Sequence, residues 1–162
     1  MKKEFTSSKR TTISPAGFTL IELLVVIAII GLLASVVLYS LGSARTKGVD
    51  AATRDNMASI RSQAEIFATN NSNNYTGLCS TDPKVSAMLV NLKIVDTQQA
   101  VNPTITAYGT TGAANTITCH DTTSGWAVEA PLNSGFWCVD SGGRALNTAT
   151  FSLGASDIVC GP

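Results

Sequence analysis

Phe18 to Leu41 reads FTLIELLVVIAIIGLLASVVLYSL, and this stretch decides the fold. Its one charge is Glu22; from Leu23 onward Val, Ile and Leu dominate and no Pro interrupts. As a helix rising 1.5 Å per residue it would reach roughly 36 Å, enough for a ~30 Å hydrocarbon core with some tilt. A helix apolar on every side needs a large protein or a lipid bilayer to cover it. The chain has 162 residues, about one domain, so the bilayer is the better cover. A removable secretory signal is the competing reading, but its apolar region runs only ~7–15 residues. Ser43-Ala44 would be a tolerable cutting site, yet the span is too long and Glu22 sits badly inside it. No lipid-anchoring Cys follows closely, since the first is Cys79.

Outward from the span, charge divides the chain. Residues 1–17 hold Lys2, Lys3, Lys9 and Arg10 against Glu4, a net +3, while residues 18–162 carry −3. A basic flank holds its side of a span in the cytoplasm, which places the remainder across the membrane. An acidic exported part has no basic stripe for a phosphate backbone, so nucleic-acid binding is not expected. Charged residues make up 14% of the whole and hydrophobic ones 44%, against roughly a quarter charged in ordinary domains. That excludes a disordered solvating chain.

Residues 43–68 stay helical but become amphipathic: Val49, Thr53, Met57, Ile60, Ala64 and Phe67 recur at +3 and +4 spacing. The other faces offer Asp50–Arg54 and Arg61–Glu65 as i,i+4 pairs. Gly42 and Gly48 are candidate hinge points. The polar run Thr69–Asn74 ends the helix; within it Asn74-Tyr75-Thr76 fits a glycosylation pattern that short matches meet mostly by chance. Asp82-Pro83 introduces a short helix over Lys84–Leu92. Trp126–Ala130 and Phe136–Asp140 flank the turn Asn133-Ser134-Gly135 as a hairpin, Ser141–Gly143 is a further turn, and Ile117–His120 and Ile158–Cys160 are shorter strand candidates. The fold class is α+β: a long amino-terminal spine helix, transmembrane in its first half and amphipathic in its second, packed on a head of three or four antiparallel strands.

Ser14-Pro15-Ala16-Gly17 precedes the span and Phe18-Thr19-Leu20-Ile21-Glu22 opens it. The run GFTLIELLVVIAIIGLLASVV resembles the amino-terminal signature of type IV pilins and of their secretion-system relatives, the pseudopilins. The resemblance covers the basic leader and the long helix; beyond Phe67 it is architectural. It implies that a membrane-embedded prepilin peptidase cuts between Gly17 and Phe18 on the cytoplasmic face and that the new amino group of Phe18 is methylated. The chain would be a substrate, not an enzyme. Gly17 suits a cutting site because a residue without Cβ lets a protease approach the backbone. Pro15 disfavours helix at the junction, so the helix should begin near Phe18. Glu22 is an ionisable group inside a span, which by default marks function. The amine freed at Phe18 is its expected partner, on a neighbouring subunit, where the pair would also set axial register. Apolar helices drawn from lipid would bury their faces against one another in a head-to-tail contact that does not close, giving a helical polymer. Many pilins carry Pro 21 residues after that Phe; here Tyr39 stands there, leaving Gly31 as the helix's weak point, at roughly 1 kcal/mol against Ala.

The domain reading is a leader at 1–17, removed; a membrane and polymerisation segment at 18–42; the amphipathic spine at 43–70; and a globular head at 71–162. Four cysteines beyond the span, Cys79, Cys119, Cys138 and Cys160, predict disulfides in an oxidising compartment, with three connectivities open. The family resemblance implies Cys138–Cys160, which leaves Cys79–Cys119. No metal or cofactor is expected: no C-x-x-C accompanies His120 for zinc, and oxygen ligands at Asp140, Asp157 and Ser141 do not by themselves specify Ca²⁺. Expected partners are further copies of the chain, prepilin peptidase, an inner-membrane assembly machinery and, before assembly, lipid. The precursor is expected as a single-pass inner-membrane protein with its head outside, and later as a periplasmic or extracellular filament. The alternative is a monomeric membrane-anchored binding module or enzyme with an exported head.

Overall fold

The computed structural model describes residues 17–97, 104–106, 110–113 and 115–161. The chain divides between Leu41 and Gly42 into two units, and one helix, α1 (Leu20–Asn70), contributes to both. In the first unit every residue from Leu20 to Leu41 is exposed. An 18-residue window there has a mean hydropathy of 2.9 with none of it buried, long and apolar enough to cross a membrane. Gly31, Gly42 and Gly48 all lie within α1, so neither expected hinge glycine ends the helix.

The second unit is built on the amphipathic half of α1. Val49, Thr53, Met57, Ile60, Ala64 and Ala68 are buried along one stripe, with Gln63 beside it and Phe67 half-buried. The helix stops where Ser72 and Asn73 take positive φ values of 56° and 59° and the amide of Asn73 donates to the carbonyl of Ala68 at 2.8 Å. Left-handed residues of this kind satisfy carbonyls that a helix end would strand. The helix α2 (Pro83–Thr97) runs beyond the expected Lys84–Leu92. Asp82 caps it, accepting from the amides of Lys84 and Val85 at 2.9 and 2.8 Å, and Pro83 fills the first helical position where its missing N–H costs nothing. Gln63 donates to the same carboxylate at 3.2 Å and so ties the cap to α1.

Strands β1 (Thr104–Thr106), β2 (Thr116–Asp121), β3 (Trp126–Pro131), β4 (Phe136–Asp140) and β5 (Ala145–Thr148) form one sheet in sequential order. From β2 to β5 it is an antiparallel meander, with Val128 opposite Cys119 and Val139. Two features differ from expectation. β1 joins β2 in parallel, a pairing its three residues gave no sign of. Ile158–Cys160 is irregular, while Ala145–Thr148, after the Ser141–Gly143 turn, is the fourth antiparallel strand. Gly135 closes the β3–β4 hairpin at φ 92° with its Cα facing the carbonyl oxygen of Thr148, where a Cβ has no room.

Strands β2 to β4 are buried on both faces, while β5 and Ile105 of β1 stay partly or fully exposed. Toward α1 and α2 the sheet presents Trp126, Val128, Ala130, Val139, Ile117 and Cys119, which pack with Met57, Ile60, Ala64, Leu78, Val85, Leu89 and Leu92. Across the sheet a smaller core joins Ala127 and Cys138 to Leu153 and Cys160. The irregular carboxy-terminal segment, residues 149–161, supplies that second cover. The expected i,i+4 pairs on α1 instead take partners in the head. Asp50 accepts from the backbone and side-chain amides of Asn133 at 3.0 and 3.1 Å; Arg54 lies 5.0 Å over the Trp137 ring; Arg61 donates to the carbonyl of Arg144; and Glu65 accepts from the Tyr75 hydroxyl at 3.2 Å.

Candidate functional site

At the amino-terminal junction Gly17, Phe18 and Thr19 are non-helical and exposed. A Cβ built on Gly17 would meet nothing within 4 Å, so the chain's own packing does not call for glycine there. Phe18 is 91% exposed. The helix begins at Leu20, two residues later than expected, because Thr19 is its cap. The Thr19 hydroxyl lies 3.3 Å from the Glu22 amide, and Glu22 Oε2 accepts from the Thr19 amide at 2.8 Å and from its hydroxyl at 2.7 Å. This is a capping box, the reciprocal arrangement of Thr at the cap and Glu three residues on. The negative charge also faces the positive end of the helix dipole. Thr19 is the residue that sequence reasoning passed over. The signal was present as T-L-I-E ahead of an apolar run, but attention to a distant partner for Glu22 hid the local one. Beside the box Phe18, Ile21, Glu22, Val25 and Val26 border a shallow apolar groove. Ser14, Pro15 and Ala16 lie outside the described residues.

In the head the structure joins Cys138 to Cys160, with Cα atoms 5.7 Å apart, and Cys79 to Cys119, at 5.8 Å. All four thiols are consumed, so His120 has no thiolate to activate and zinc has no sulfur ligand. His120 is fully buried, its ring nitrogens 2.8 Å from the carbonyl oxygen of Asp157 and 3.3 Å from that of Thr110. The oxygens considered for Ca²⁺ are also engaged. Asp140 accepts from the amides of Arg144 and Cys160 at 3.0 and 2.9 Å, and Asp157 from Gly154 at 2.8 Å. Among the described residues no three His, Cys, Asp or Glu side chains converge to hold a metal. Asn74 turns its side-chain oxygen onto the Thr76 amide at 2.8 Å.

Two acidic residues that motif reading passed over organise the head. Asp121 holds the loop between the helices, accepting from Gly77 and Cys79 at 2.5 and 3.3 Å beside the Cys79–Cys119 bridge. Glu129 is fully buried and accepts from the Leu153 amide at 2.9 Å, the Ser152 amide at 3.1 Å and the Ser152 hydroxyl at 2.9 Å. A buried carboxylate survives only when donors saturate it in this way. Together with Asp140, the Arg144 guanidinium on the Cys160 carbonyl at 2.9 Å and the second disulfide, it fastens the irregular segment across the sheet. No motif in the sequence marks Glu129.

Residues 14–38 match the family model of the prokaryotic N-terminal methylation motif. The chain thus carries the signature of type IV pilins and pseudopilins, on an α+β frame of long apolar helix and disulfide-bonded head. That motif marks substrates of prepilin peptidase, and with the apolar helix it fits a membrane-anchored, pilin-like precursor. Comparison with curated proteins and with solved structures finds no match.

Proposed function

We propose that the chain is the precursor of a structural subunit of a type IV pilus or of a type II-secretion-like pseudopilus, and that it is not an enzyme. Residues 1–17 are its leader; cutting after Gly17 exposes the amine of Phe18, which is methylated. Residues 18–42 hold the precursor in the inner membrane with its head outside, and afterwards form the polymer's core. Residues 43–70 and the head at 71–162 form the subunit's exported body. The partners are other copies of the chain, prepilin peptidase and the inner-membrane assembly machinery.

The observation that carries this reading is a helix exposed at every position from Leu20 to Leu41, opening on a carboxylate inside the matched motif. Such a surface is stable only among acyl chains or among other helices. Glu22 fits both surroundings. Within one chain the capping box occupies Oε2, and Oε1 has no hydrogen-bond donor among the described residues, which leaves it available to an ammonium group. In a water-free helix bundle the Phe18 amine of a neighbour supplies that group.

Amino-terminal sequencing of the mature protein tests the reading. Phe18, methylated, is the expected first residue. Met1 would favour the monomeric membrane-anchored module, and Arg45 would mean removal of an ordinary signal peptide.

A further inference from the structure

Most acidic side chains of the head are spent on backbone amides, while the two half-buried cations of α1 have no carboxylate partner among the described residues. Arg54 and Arg61 are half-buried. The groups they touch are neutral, the Trp137 ring and the Arg144 carbonyl, and the Nε–H of each is buried without an acceptor. Among the described residues no carboxylate lies within ion-pair distance of either. Burying charge without a counter-charge is costly. Asp55 is the converse: exposed on the same helix, its carboxylate has no partner among the described residues.

A single copy cannot join these groups. Asp55 follows Arg54 directly and precedes Arg61 by six residues, spacings at which helix side chains point in different directions. Two copies can. We infer that Asp55 of one copy pairs with the Arg54–Arg61 seam of the next, a charge contact between neighbouring copies above the apolar segment. The contact is heterologous, so it propagates along a polymer instead of closing a dimer. It also offsets self-repulsion among copies whose residues 18–162 carry −3. The inference rests on the polymer reading above and names the partner surface within it.

The test is filament yield from cells carrying the native assembly machinery, for wild type, Asp55→Arg, Arg61→Glu and the double variant. Each single change puts like charges together and should lower the sheared-filament yield at least about tenfold. Leader removal and both disulfides, read by mass spectrometry, should be unchanged. The double variant, with the charges exchanged, should recover filaments. Because Arg61 also holds the Arg144 carbonyl, Arg61→Glu can disturb the head, and Asp55→Arg, which alters an exposed side chain whose carboxylate has no hydrogen-bond partner among the described residues, isolates the charge effect. Wild-type yield from Asp55→Arg overturns the inference. So does a loss that the added Arg61→Glu fails to restore, which would assign the seam to an anion from elsewhere. In both cases wild-type filaments leave the polymer reading standing. Cleaved wild-type protein that never forms filaments overturns the polymer reading and this inference with it.

Discussion

Residues 20–41 and residues 42–161 are both rich in apolar side chains, but they use them in opposite ways. In the first stretch no side chain is covered; in the second, apolar side chains from two helices and three strands close into cores on both faces of one sheet. The difference is one of period. An apolar residue at every position gives a helix no preferred face, so its cover must come from outside the chain. An apolar residue at every third or fourth position gives one stripe, which the sheet of the same chain can cover. The polar groups divide in the same way: Glu22 is satisfied by the residue three before it, whereas Glu129 is satisfied by Ser152 and Leu153.

The comparison can be broken most severely at Glu22. In Glu22→Ala, cleavage after Gly17 should proceed normally while filament yield falls by more than about tenfold, because a buried ammonium then lacks its anion. Full-length filaments from that variant would remove Glu22 from assembly. Next in size is Trp126→Ala in the head. Trp126 is the largest fully buried side chain, and its loss should cost about 3–5 kcal/mol, read by denaturant unfolding of the cleaved protein in detergent. The same measurement on Glu129→Ala should show a smaller loss of about 2–3 kcal/mol, from backbone amides left without an acceptor. Hydrogen exchange should place that loss at Ser152 and Leu153, with α1 unaffected.

The smallest effect concerns Tyr75. Burial first, then the charge of Glu65 and its hydrogen bond, hold the Tyr75 phenol above the usual tyrosine pKa. The stability this contributes is complete below the ordinary tyrosine range and disappears as pH rises through the raised value. Tyr75 is only half-buried, so solvent screens the contribution and keeps it minor. Ultraviolet titration of Glu65→Gln should show Tyr75 ionising at lower pH than in wild type; an unmoved transition would discount Glu65 as a cause.

Legibility followed the range of the interactions. The membrane-length helix, its amphipathic continuation, the hairpin at Asn133-Ser134-Gly135 and the Asp82-Pro83 helix start were readable because each rests on neighbours within a few residues. So was the capping box, had Thr19 been read together with Glu22. Ile158–Cys160 misled because its β-branched residues suit a strand, yet the segment is fastened by Asp140, the Arg144 guanidinium and a disulfide in place of a ladder. Asp50–Arg54 and Arg61–Glu65 misled because helical spacing permits a pair without knowing what else lies within reach. In each case the head offered another partner.

What the sequence determined by itself was the apolar helix, its capped and charged beginning, and the change of period near Gly42, since all are properties of adjacent residues. Only the tertiary structure decided that β3 is covered on both faces, that Glu129 is an internal fastener, and that Arg54 and Arg61 meet no carboxylate among the described residues. Those outcomes depend on which distant segments meet, and a side chain's partner is set by the fold around it and not by its place in the chain.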